Sequence, residues 1–179
     1  FNTELMTSNK NLVLIGMMGS GKSTVGAQLA HKLKLEFIDT DKEIEKLEKK
    51  TIKKIFEISG EDYFRKIEEK VVLEKFKLSK KVIALGGGSF LNNVVRKNSK
   101  KRCFVIWLYW DNETLVNRIF KNNKRPKIMN LNKRELHNLI NHRNLVYKQS
   151  NYKLNCESLN KSQIIEKLKL IYENQITKS

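Results

Sequence analysis

The stretch Gly16-Met17-Met18-Gly19-Ser20-Gly21-Lys22-Ser23 closes the apolar run Asn11 to Gly16 (NLVLIG) and leads into an amphipathic segment, Lys22 to Leu33. It matches G-x-x-x-x-G-K-[ST], the P-loop pattern, which requires a strand before it and a helix after it. The chemistry follows from the residue types. Gly16, Gly19 and Gly21 let the backbone curl so that its N–H groups point inward, and the helix dipole adds partial positive charge at the same place. Lys22 is then set to reach the β- and γ-phosphates of a nucleotide, and the Ser23 hydroxyl to ligate Mg²⁺. Gly19, Ser20, Gly21, Lys22, Ser23 and Thr24 are the candidate ATP-binding residues here. The bland alternative is a glycine turn that happens to precede a helix. From average composition, an accidental full match in a chain of this length occurs roughly once in a hundred or more rarely.

Working outward, Leu35 to Asp39 (LEFID) has strand length and composition, and Asp41 to Ile58 has helical spacing as one helix or two. Gly60 breaks that pattern. Glu61 to Leu78 resumes it, with Phe64, Ile67, Val71 and Val72 toward a core. Val82 to Leu85 reads as a strand ending on Gly86-Gly87-Gly88. Helix fits 91–98, strand 103–109 and helix 112–121, and Asn122 to Lys133 is a polar loop holding the only proline. Glu135 to Gln149 reads as helix, Tyr152 to Cys156 as strand and Gln163 to Ile176 as a closing helix. Strands alternating with helices predict an α/β fold, a three-layer open parallel sheet with helices on both faces. Residues 1–10 read as an N-terminal extension and 11–179 as one domain.

Composition is consistent with that. The chain has 179 residues and a mass of 21.0 kDa, enough to bury roughly 70% of its unfolded surface. One proline and eight glycines exclude collagen-like or Pro/Gly-rich disorder. The longest apolar run, Cys103 to Trp110, is eight residues and too short to span a bilayer. The start, FNTELMTSNK, has no apolar stretch behind basic residues, so no signal peptide is expected. Cys103 and Cys156 form no CxxC motif and read as small buried apolar groups, reduced in a cytoplasmic protein.

The net charge is +17, with +4 on residues 1–90 and +13 on 91–179, so the second half attracts anions more strongly. Lys accounts for 29 of the 36 basic residues, Asn for 19 residues and Ala for three. Such a Lys- and Asn-rich, Ala-poor chain looks drawn from an AT-rich coding pool, which weakens charge as a functional signal. Where it keeps Gly, Arg or Pro, a physical demand is expected.

Asp39-Thr40-Asp41 ends the second strand. Alternation places Asp39 and Asp41 on one side, and open parallel sheets bind ligands outside the carboxyl ends of their strands; one carboxylate could face a metal and the other a substrate hydroxyl. The alternative is that Thr40 or Asp41 caps the next helix. The triple glycine permits close approach by a ligand, or is simply a tight turn. Arg65, Arg118, Arg125 and Arg143 lie in or beside candidate site segments, where a planar fork grips carboxylate or phosphate better than Lys does. For each, a solvated helix charge is the competing explanation. His31, His137 and His142 lack metal-ligand spacing.

The ordered set GMMGSGKSTVG, FIDTD, SGEDYFRKIE, LGGGS, Arg125-Pro126 in a polar segment and HRNLVY resembles the shikimate kinase family over about residues 11–155. The resemblance implies a nucleoside-monophosphate-kinase-like fold with a five-stranded parallel sheet and a mobile lid, here approximately 122–134. It implies phosphorylation of a ring hydroxyl of shikimate by ATP, a step toward aromatic amino acids, with Mg²⁺ as cofactor. It further implies that Lys22 and Ser23 serve the phosphates and metal, with Asp39 holding the metal through water. Asp41 would bind the ring hydroxyls and orient or deprotonate the one phosphorylated. Arg65 and Arg143 would grip the carboxylate, and Gly86, Gly87 and Gly88 would line the acceptor pocket. Arg125 would close over the phosphates and Arg118 lie against the adenine. Two segments depart from the family pattern: Lys127 and Ile128 stand where two apolar residues are usual, and ESLNKSQ after Cys156 lacks the arginine-containing adenine loop.

The competing kinases are gluconate kinase, which lacks the paired Asp-Thr-Asp and Phe-Arg pattern, and nucleoside monophosphate kinases, which need a base-reading acceptor pocket. A basic nucleic-acid-binding module is the alternative from another class. Its only support is charge, since the lysines are scattered and no motif interleaves them with aromatics. The expected partners are therefore small molecules, with no nucleic acid or membrane, and the expected state is a monomer.

Overall fold

The first strand, β1 (Asn11–Ile15), is buried at every position, as a strand covered on both faces must be. It sits at the middle of the computed structural model of the chain, which describes residues 9–121 and 130–177. The P-loop leads to α1 (Lys22–Leu33), then β2 (Glu36–Asp39), α2 (Thr40–Glu48), α3 (Ile52–Phe76) and β3 (Lys81–Ala84). A 3-10 turn (Ser89–Leu91) precedes α4 (Asn93–Arg102), β4 (Cys103–Tyr109), α5 (Asn112–Lys121), α6 (Lys133–Tyr147), β5 (Tyr152–Asn155) and α7 (Lys161–Thr177). The sheet order is β2-β3-β1-β4-β5, all parallel, with Val13 beside Ile83 on one side and Val105 on the other.

Period-2 alternation along the strands divides the core. Leu12, Leu14, Val82, Ile106 and Leu108 face α1 and α7, meeting Val25, Leu29, Ile164 and Leu168. Val13, Ile15, Ile83, Val105 and Trp107 face the other way, onto Val72 and Phe76 of α3 and Val95 of α4. A smaller cluster of Ile44, Ile55, Phe64 and Val71 joins α2 to α3. The predicted three-layer α/β architecture is the one observed.

Element boundaries differ where side chains cap helix ends. Periodicity starts α6 at Glu135, but the Asn132 side chain accepts from the Glu135 N–H and Glu135 reaches back to the Asn132 N–H. This capping box starts the helix at Lys133, so Lys133 and Arg134, predicted as the end of the lid, belong to α6. Asn92 likewise caps α4 through the Val94 and Val95 N–H groups, which moves its start to Asn93. Gly60 interrupts α3 with φ 79° and ψ 175°, outside helical geometry, as its place in the pattern predicts. Most of the expected N-terminal extension and lid, with Arg125, lies outside the described residues.

One glycine carries a packing constraint. A Cβ on Gly26, in α1, would lie 2.6 Å from Cε2 of Phe37 and 3.3 Å from Cδ1 of Leu14. The helix can approach β1 and β2 this closely only because that position has no side chain. Gly26→Val should therefore lower unfolding stability by about 1–3 kcal/mol, measured by urea denaturation, with part of the loss recovered in a Phe37→Leu background.

Candidate active site

The P-loop after β1, Asp39 at the end of β2 and the glycine turn after β3, all proposed as functional from sequence, leave the carboxyl ends of their strands, and Trp110 follows β4 at the same edge. In the P-loop, Gly19 (φ 79°) and Gly21 (φ 89°) adopt left-handed backbone, which other residues rarely do. Lys22, 8% exposed, donates through its ammonium to the Gly16 carbonyl at 2.8 Å and the Met17 carbonyl at 3.0 Å. These contacts hold the cation at the loop mouth.

Ser23 Oγ donates to Asp39 Oδ2 at 2.5 Å. The other Asp39 oxygen accepts from the Asp41 and Lys42 N–H groups and is the N-cap of α2. Strand alternation is thus the wrong reason for relating Asp39 to Asp41. Asp39 ends β2, whereas Asp41 lies in the first turn of α2, and it is the cap that turns both toward one cleft. Capping is real at this site, but by Asp39 rather than by Thr40 or Asp41. Thr40 is fully buried; its hydroxyl donates to the Ala84 carbonyl at 3.3 Å and accepts from the Gly86 N–H at 3.1 Å.

The three glycines after β3 each admit a different side chain. A Cβ on Gly86 would lie 2.5 Å from Asp41 Oδ1, one on Gly87 3.2 Å from Arg143 Nη1, and one on Gly88 2.5 Å from Arg65 Nη1. Three elements, α2, α6 and α3, converge on a turn that has no side chains of its own. The cleft they enclose has a volume of about 710 Å³ and is also lined by Ser23, Asp39 and Met18 from the phosphate side.

Arg65 is held by Glu68 at 2.6 Å and by Glu61 at 3.2 Å. Burial opposes its charge, but the two carboxylates outweigh that cost and raise its pKa above the ordinary arginine value. Glu68 is 3% exposed and accepts a second hydrogen bond, from Ser89 Oγ at 2.5 Å. It is the last residue of the Gly-Glu-x-x-Phe-Arg-x-x-Glu pattern, and the motif spacing alone assigned it no role. Arg143 is 6% exposed and directs Nη1 at Met17 Sδ, 3.4 Å away. Its Nε is the one buried side-chain nitrogen or oxygen without a hydrogen-bond partner among the described residues.

Beside the P-loop, the Arg118 guanidinium carbon lies over the Trp110 ring, 3.6 Å from its centroid, and Arg118 donates to the Gly19 carbonyl at 3.4 Å. Trp110 Nε1–H donates to the Ser20 carbonyl at 3.0 Å. The aromatic ring thereby supports both the loop and the arginine. No sequence motif marks Trp110; only its place just past β4 could have suggested it. Thr24, also a candidate, is exposed on α1. Among the described residues no helix is long and apolar enough to cross a membrane, and no three His, Cys, Asp or Glu residues form a metal-binding group.

A phosphate-binding loop facing a small cleft with two arginines defines a P-loop kinase of a small-molecule acceptor. A family model described as shikimate kinase matches residues 18–172. The shikimate kinase of Persephonella marina is 39% identical over 89% of this chain and 96% of that protein, and that of Bartonella henselae is 38% identical over 88% and 76%. A solved shikimate kinase from Acinetobacter baumannii in complex with shikimate superposes with a TM-score of 0.86 at 32% identity, covering 98% of this chain and 99% of that one. A gluconokinase from Sinorhizobium meliloti, with a TM-score of 0.55 at 14% identity, shares the fold alone. The chain belongs to the shikimate kinase family.

The geometry makes Gly88 a sharp probe of the cleft. Gly88→Ala puts a methyl group into the Arg65 guanidinium and must displace it from Glu68. The KM for the phosphoryl acceptor should rise about 10- to 100-fold while ATP affinity and the melting temperature change little. Steady-state kinetics and a thermal melt check this.

Proposed function

We propose that the chain transfers the γ-phosphoryl group of ATP to a ring hydroxyl of shikimate, giving shikimate 3-phosphate and ADP. The observation that carries this beyond family membership is Arg143, nearly buried yet with an unpartnered Nε, set across the glycine turn from Arg65. A buried guanidinium with unused donor capacity calls for an anion, and a ring carboxylate supplies one. Asp41 shares the cleft and lies against Gly86, within the same turn. Held by the arginines, the substrate presents its hydroxyl to Asp41.

In the reaction the hydroxyl oxygen attacks the γ-phosphorus, the bond from that phosphorus to the β–γ bridging oxygen breaks, and the hydroxyl proton passes to the Asp41 carboxylate. ADP leaves with the electron pair. Lys22 neutralises charge on the phosphates, and the P-loop N–H groups hold them. Ser23 and Asp39 provide hard oxygen donors already in contact with each other, which fits Mg²⁺, a cation that needs few protein ligands. Bound with ATP, Mg²⁺ would spread the negative charge of the β- and γ-phosphates. Both substrate sides are lined by one chain, so the proposal is of an enzyme complete as a monomer.

An ADP-release assay against shikimate, gluconate and nucleoside monophosphates tests this. Turnover restricted to shikimate is expected; preference for another acceptor overturns the assignment. Lys22→Ala should nearly abolish turnover in a folded protein, because transition-state charge is left uncompensated. Near wild-type activity would remove Lys22 from the mechanism. Arg65→Lys and Arg143→Lys keep the charge but lose the planar fork, and each should lower kcat/KM for shikimate roughly 10- to 100-fold with ATP affinity nearly constant. An equal loss toward ATP would place these arginines on the nucleotide side.

A further inference from the structure

Tyr147 lies one helical turn beyond Arg143, at the end of α6, and is 1% exposed. Its hydroxyl donates to the Gly87 carbonyl at 2.5 Å, and its ring packs on Trp107 with centroids 5.8 Å apart. Gly87 is also the residue whose missing Cβ leaves room for Arg143 Nη1. The same two elements therefore meet twice, once through the arginine and once through the phenol. Burial is the main reason the phenol is pushed up to about 12, opposed by the Arg143 guanidinium, so it is a hydrogen-bond donor throughout the neutral range.

We infer that Tyr147 is a positioning residue for the acceptor site: its hydroxyl, anchored on the Gly87 carbonyl, holds Arg143 and the Gly86–Gly88 turn in register with each other. This deepens the shikimate assignment above and rests on it for its kinetic readout. The physical basis is the placement of the tie. Thr40 fixes the start of the turn at the Gly86 N–H, and Tyr147 fixes its middle at the Gly87 carbonyl. The glycines bring no side chains to restrain the turn, so beyond its own backbone bonds, from the Ser89 N–H to the Gly86 carbonyl and from the Leu91 N–H to the Gly88 carbonyl, its geometry depends on these outside bonds. Without the phenol the Gly87 carbonyl, at the half-buried edge of the cleft, loses its side-chain partner, and the middle of the turn is no longer held. Arg143, with few bonds of its own, then loses its reference point against the turn. The nucleotide side shares neither bond.

The test is Tyr147→Phe, which keeps the ring packing and removes only the hydroxyl. The KM for shikimate should rise about tenfold, with kcat less affected and the KM for ATP within about twofold. Substitution of 4-aminophenylalanine at position 147, which restores a donor at the same point of the ring, should recover most of the loss. A purely structural role predicts something different: a lower melting temperature, with both KM values unchanged or changed together, and that result overturns the inference. Lack of rescue by the amino variant also overturns it. Hydrogen exchange provides a readout independent of the acceptor. The Gly88 and Ser89 amides should exchange several-fold faster in Tyr147→Phe, while those of the P-loop stay unchanged; unaltered exchange at the turn defeats the positioning role. If wild-type enzyme does not phosphorylate shikimate, the functional assignment fails, and the exchange result still decides the role of Tyr147.

Discussion

The cleft beside the P-loop depends on three absent Cβ atoms. Gly86, Gly87 and Gly88 form a bare turn against which Asp41, Arg143 and Arg65 approach, Asp41 and Arg65 closer than a Cβ on the turn would allow and Arg143 to within tight contact. Close approach of polar groups to backbone is the chemical use of glycine in such places. It also has a cost, because a bare turn has only its own backbone bonds, at Gly86 and Gly88, to fix its conformation. The surrounding residues supply the rest, through Thr40 at one point and Tyr147 at another. The acid, the two arginines and the turn are therefore one unit rather than four separate features.

The phosphate side is organised on a different principle. Its loop is shaped by left-handed glycines and closed on itself by the Lys22 ammonium, which serves the loop's own carbonyls. Trp110, just past β4, supports it through one hydrogen bond and an arginine set over its ring. The two sides touch through Met17, the loop residue beside Arg143, and through Asp39, which caps α2 while bonding Ser23 of α1. Asp39 thereby ties the phosphate loop's helix to the element that carries Asp41. A parallel sheet makes this possible by delivering every such segment to the same edge.

The large positive charge has little part in either arrangement. Many of the lysine contacts are exposed pairs such as Lys53–Glu57 and Lys169–Glu173, both i,i+4 along a helix, which contribute little in water. Arg143, which is buried, and Arg65, which is half-buried, differ because both line the cleft. Retention of arginine there, in a chain that otherwise favours lysine, is consistent with a need for the fork geometry.

Much of the architecture was legible in the chain itself. Apolar runs of strand length, helical periodicity and the P-loop spacing are local properties, so the five strands, their alternation with helices and the loop between β1 and α1 could be read directly. Helix starts at Lys133 and Asn93 were misplaced by one turn or less, because they depend on whether Asn132 and Asn92 turn back onto the backbone. Candidate residues were found where a motif or an unexpected arginine marked them. Trp110 carries no local mark, and Glu68 and Tyr147 close motifs whose spacing assigned them no role, because the bonds that reveal those roles reach 90, 21 and 60 residues away. Sequence alone determined which chemical groups are present and in what order. Only the tertiary structure decided that Asp41, Arg65 and Arg143 meet at one turn, because that meeting depends on the packing of three helices against the end of β3, which no local pattern encodes.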